Sequence, residues 1–69
     1  MKAKTMHIYE VRSDHEVQQI TQALDTLPGV EGIEGDWRTK IFAIQWSDPA
    51  TWEQILDVLV GMGYQPDWQ

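Results

Sequence analysis

The chain has 69 residues, eleven of them acidic and five basic, for a net charge of −6, and it contains no cysteine. At this length there is room for one modest core that buries about 60% of the unfolded chain's surface, but not for a deep cleft. The missing cysteines exclude disulfides, thiolate metal sites and a thiol nucleophile, and the acidity excludes a polyanionic nucleic-acid backbone as main ligand, since binding it needs a positive footprint.

The charge is also uneven. From position 41 to the end there is no Lys or Arg, while Asp48, Glu53, Asp57 and Asp67 all fall there. A basic protein surface or a cation is the partner such a field attracts. The start of the chain carries no apolar leader and no apolar run approaches the roughly 18 residues of a membrane span, so a cytoplasmic protein without membrane insertion is expected.

In chain order, Met6-His7-Ile8-Tyr9-Glu10-Val11 alternates and predicts a strand with Met6 and Ile8 on one side and His7 and Tyr9 on the other. Ser13-Asp14-His15-Glu16 has the Ser-x-x-Glu form of a capping box, and Val17, Ile20, Leu24 and Leu27 recur at helical spacing until Pro28-Gly29 ends the helix. From Val30 the period returns to two. Ile33, Gly35 and Trp37 face one way and Glu34 and Asp36 the other, with Arg38-Thr39-Lys40 as the turn. Phe42, Ile44 and Trp46 then alternate with Ile41, Ala43 and Gln45, so the two strands should pair antiparallel.

Ser47-Asp48-Pro49-Ala50-Thr51 opens a second helix, either from a Thr51/Gln54 capping box or one turn earlier at Asp48-Pro49. Trp52, Ile55, Leu56, Leu59 and Met62 form its expected buried stripe, and Gly63 ends it. Residues 64–68 are expected as a last short strand, confined by Pro66 to a sheet edge. The whole chain, 1–69, thus reads as a single α+β domain: a ferredoxin-like βαββαβ sandwich, with two helices on one face of a four-stranded antiparallel sheet.

With these elements in place the sequence resembles the heavy-metal-associated domains, found as copper chaperones and as amino-terminal modules of metal-pumping ATPases. The resemblance runs from Met6 to Tyr64 and rests on Leu27-Pro28-Gly29-Val30, the strand Ile33 to Trp37, Asp48-Pro49-Ala50-Thr51 and Gly63-Tyr64. It fits better than the ACT-type regulatory domains that share the element order. In that family a Met-Thr-Cys-x-x-Cys loop holds Cu(I) or Zn(II). Counting back from Pro28 puts Val11 at the methionine position and Ser13 and Glu16 at the cysteine positions, so the resemblance implies the scaffold without its thiolate site. A hydroxyl is a very poor ligand for Cu(I).

Two functions remain. The first is a protein-interaction or regulatory module with no cofactor, docking a basic partner through Ser13, Asp14, Glu16, Tyr64, Trp37, Val60 and Trp68; the resemblance points to the loop around Ser13 because metal carriers meet their partners there. A homodimer through the open sheet face (His7, Tyr9, Ile41, Ala43, Gln45) or a sheet edge is a further option. The second is weak binding of a divalent metal ion by His15, Glu16, Asp14 and Glu10. Met1, Met6 and Met62 form no thioether cluster. No enzyme is expected: there is no phosphate-cradling glycine loop and no nucleophile–base pair.

Overall fold

A computed structural model describes residues 1–68. Its elements are β1 (Lys2–His7), α1 (Asp14–Asp25), β2 (Val30–Asp36), β3 (Ile41–Trp46) and α2 (Trp52–Gly61). Among the described residues the sheet has three strands in the order β1-β3-β2, with both outer strands antiparallel to the central one. β1 and β2 are therefore parallel to each other with β3 between them, a split βαβ unit. One continuous core unites Met6, Ile8, Val11, Ile20, Leu24, Phe42, Ile44, Trp46, Ile55 and Leu59.

The expected fourth strand is not formed. Residues 64–68 lie beside β1 but make a single antiparallel bridge, in which His7 N donates to Asp67 O and Asp67 N to His7 O, both at 2.8 Å. The physical reason is local. Pro66 has no N–H to give to a ladder, and the amide of Gln65 is taken by the Glu10 carboxylate.

Three other expectations shift. β1 starts four residues earlier than the hydrophobic alternation shows and ends at His7, while Ile8 and Val11 are buried from the loop that follows it. The first capping box is half formed: Ser13 Oγ accepts from Glu16 N at 3.3 Å, but the Glu16 carboxylate goes elsewhere. The second is complete, with Thr51 and Gln54 bonded reciprocally, so α2 starts there and not at Asp48-Pro49. Met62, expected in the stripe of α2, is 37% exposed, and Leu56 is half-buried; Val58 packs against the core in their place. Met62 is the C-cap of the helix, and the chain turns away directly after it at Gly63, φ 93°.

The hairpin joining β2 to β3 is fixed by Asp36, whose carboxylate accepts from Arg38 N at 2.8 Å and whose carbonyl accepts from Lys40 N at 2.8 Å. Lys40 closes the turn at φ 67°, a left-handed conformation that costs a residue with a Cβ. The opposite, open face of the sheet presents Ile41, Ala43 and Gln45, paired in register with His7, Thr5 and Ala3. His7 and Tyr9 stack there with ring centroids 5.4 Å apart.

Candidate functional site

The loop between β1 and α1 is held from three directions. Its buried Ile8 and Val11 pull it onto the core, and Ile8 N donates to the Lys40 carbonyl at 2.9 Å. The Lys40 ammonium donates in turn to the carbonyl of Val11, 29 residues away in sequence. The left-handed turn at Lys40 thus serves to carry one ammonium under the loop. From the other side Glu10 Oε1 accepts from Gln65 N at 3.5 Å.

The third anchor is Glu16. Its Oε1 accepts the Arg12 N–H at 3.1 Å, and its Oε2 accepts the hydroxyl of Tyr64 at 3.0 Å, across 48 residues of chain. The first bond satisfies an amide just ahead of α1; the second clamps the end of the chain to the helix start. Burial raises the Tyr64 pKa above 10.0, and the hydrogen bond and negative charge of Glu16, with the charge of Glu10, push in the same direction. Each oxygen of this carboxylate thus accepts one structural hydrogen bond.

The proposed metal ligands are not brought together. Asp14, His15 and Glu16 occupy successive helical positions, about 100° apart around the axis, and so diverge. His15 is exposed and pairs with the Gln19 side chain at 3.2 Å, while Glu10 and Glu16 are engaged as described. Among the described residues no three His, Asp or Glu side chains form a group able to hold a metal ion. The donors present do not fit Cu(I): a hydroxyl used as a helix cap and a carboxylate with both oxygens bonded stand where the resemblance puts two thiolates.

The residues expected to meet a partner are spread over distinct places. Asp14 is exposed and lines a shallow depression with Gly35, Asp36, Trp37 and Arg38, where the Arg38 guanidinium lies 5.4 Å from the Trp37 ring centroid. Trp37 itself is half-buried against the core and covers its end. Tyr64, expected at the surface, is 9% exposed and faces inward, a correction explained by its bond to Glu16. Ser13 and Glu16 are half-buried and structural. Val60 does point out, at 61% exposure, from the outer side of α2. Trp68 is exposed but sits by Lys4, in the first half of β1 and away from the loop.

Sequence reasoning missed the Lys40 anchor and the Lys4–Trp52–Trp68 contact. A lysine where a turn calls for glycine or asparagine was the available signal for the first. No local pattern announces the second.

No family model matches this sequence, and no curated protein matches it. Solved structures do. The yeast copper transporter domain Ccc2a, solved in apo and Cu(I)-loaded states, superposes with a TM-score of 0.89 at 13% identity, covering 100% of this chain and 96% of that one. Apo-CopP from Helicobacter pylori gives a TM-score of 0.84 at 22% identity, covering 94% of this chain and 98% of its own. A chain of the Atx1–Cu(I)–Ccc2a complex gives 0.87 at 13% identity, covering 99% and 94%. This chain has their fold. The ferredoxin-like architecture expected from the sequence is the one observed, less the regular fourth strand. No helix among the described residues is long and apolar enough to cross a membrane.

Proposed function

We propose that this chain is a heavy-metal-associated-like domain whose metal site has given way to a structural lock, and that it works without catalysis as an acidic protein-interaction module in the cytoplasm. The observation that carries this reading is the use made of the two ligand positions: Ser13 caps α1, and Glu16 ties Arg12 N to the Tyr64 hydroxyl. Both side chains already have structural partners, which supports this reading over an ion at these positions. The docking surface is the loop end where exposed Asp14 meets Asp36 and Trp37, and the net charge of −6 favours a basic partner. The Atx1–Cu(I)–Ccc2a complex supports this, as a case in which the fold forms a complex with a protein.

The test has two parts. Titration of the folded protein with Zn(II), Cu(II) and, under reducing conditions, Cu(I), followed by amide NMR, is expected to give no saturable shift between Glu10 and Glu16. Affinity capture from the native host with the wild-type protein and with an Asp14→Lys variant, which leaves the Asp36 turn bond in place, is expected to recover a partner that the variant loses. Saturable micromolar shifts at the loop would replace this reading with divalent metal binding, and equal capture by both proteins would remove the loop end as the docking surface.

A further inference from the structure

Three tryptophans and one lysine gather at the start of β1. Trp46, on the central strand, is 3% exposed and backs the cluster. Trp52, the first residue of α2, stacks on it with centroids 5.3 Å apart and planes at 24°. Trp68 meets Trp52 edge-on, 5.4 Å away at 79°, so the two rings stand as adjoining walls near a right angle. The Lys4 ammonium lies 5.2 Å from the Trp52 centroid and 4.7 Å from that of Trp68. One cation thus faces two indoles, each within the roughly 6 Å at which the ring quadrupole attracts it.

We propose that the Trp52–Trp68 corner is a binding site for a quaternary ammonium group, occupied in the free protein by the chain's own Lys4. The rings are arranged for a cation, and the corner opens to solvent, since Trp68 is 40% exposed and Lys4 is itself exposed. A primary ammonium is a poor match for such walls, because it is a compact, strongly hydrated charge whose three N–H groups lose water to reach a ring face. A trimethylammonium group carries the same charge behind methyls that pack on indole and holds its water weakly. The overall charge of −6 raises the local concentration of any cation.

Lys4 does not build the site; it blocks it. Trp52 is held by its stacking on buried Trp46 and its packing against the core, and Trp68 follows directly on the His7–Asp67 bridge. Removing the lysine leaves both walls standing and removes a tethered competitor. The inference does not depend on the docking reading above, which concerns the loop at the other end of β1.

The test is choline chloride titrated into the millimolar range against the Nε1–H resonances of Trp52 and Trp68, with the neutral isostere 3,3-dimethylbutan-1-ol as control. Choline is expected to shift both resonances saturably, and Lys4→Ala to bind it about two- to fivefold tighter, the factor that one exposed cation–π contact represents. Adding Trp68→Ala to Lys4→Ala is expected to abolish the shifts. Lys4→Gln repeats the measurement with the aliphatic stem retained, should Lys4→Ala disturb the strand. Absence of saturation in the lysine variants overturns the proposal, as does an equal response to the neutral isostere, which would reduce the corner to an apolar surface.

Discussion

Replacing Tyr64 with phenylalanine isolates the contact that holds the candidate site together. The ring stays and its burial is preserved; only the hydroxyl that donates to Glu16 Oε2 at 3.0 Å is lost. Hydrogen bonds to charged groups contribute roughly 1.5–3 kcal/mol. Glu16 is half-buried and water can reach part of its carboxylate, which brings the figure to or below the bottom of that range, about 1–1.5 kcal/mol. For a domain of this size each kcal/mol moves Tm by about 4–8 °C, so Tyr64→Phe should melt about 5–10 °C below the wild type. A double-mutant cycle with Glu16→Ala should return a coupling of about 1 kcal/mol. Thermal melts followed by circular dichroism give all four values. A Tm within about 2 °C of the wild type, or a coupling near zero, would refute the claim that this pair is a lock.

The same tyrosine sets an alkaline limit. Its pKa is raised in the folded state, so the unfolded chain loses the proton first as pH rises past 10.0; the stabilisation is whole below that value and is lost as pH climbs through the folded pKa. The difference in stability between wild type and Tyr64→Phe, measured by urea melts, should therefore shrink above pH 10.0 and stay level below it. Ser13→Ala removes the cap on Glu16 N and should lower stability by about 1 kcal/mol without changing affinity for any captured partner. Gly35→Ala puts a Cβ against the ring of fully buried Phe42 and should cost about 1–3 kcal/mol, read as a lower urea midpoint. Val60→Lys, on an exposed position in the last turn of α2, should leave Tm within the equivalent of about 0.5 kcal/mol.

The elements that could be read from the sequence are those whose cause is local. Val17, Ile20 and Leu24 recur at helical spacing between a serine cap and Pro28-Gly29, and they form the buried side of α1. The strict alternation of Phe42, Ile44 and Trp46 is the pattern of a central strand with one face covered, and all three are buried. β1 is partly hidden because its first four residues, Lys2-Ala3-Lys4-Thr5, hold no large apolar side chain; Lys4 takes the helix-facing position and covers indole rings with its ammonium. The last strand failed because an edge position tolerates Pro66 but gains nothing from it, and the neighbouring amide had a better acceptor in Glu10. For the site the division is similar. Ser13 as a cap is a rule about neighbours, whereas the inward turn of Tyr64 depends on a carboxylate 48 residues away, a distance at which periodicity carries no information.

That long-range contact bears on how the loop would work. Its backbone is fixed by groups from every part of the fold around it: Lys40 from the hairpin, Tyr64 and Gln65 from the segment after α2, and Ile8 and Val11 from the core below. A metal-binding loop can draw order from its ion, because binding energy then becomes folding energy. Here the ordering is complete within the chain. If the proposed docking holds, a partner meeting Asp14 and Asp36 would find a loop already ordered by the chain itself, so less of the contact energy would be lost on association. The Glu16–Tyr64 contact thus holds the loop from within the chain, where a loop ordered by an ion would keep its shape only when loaded.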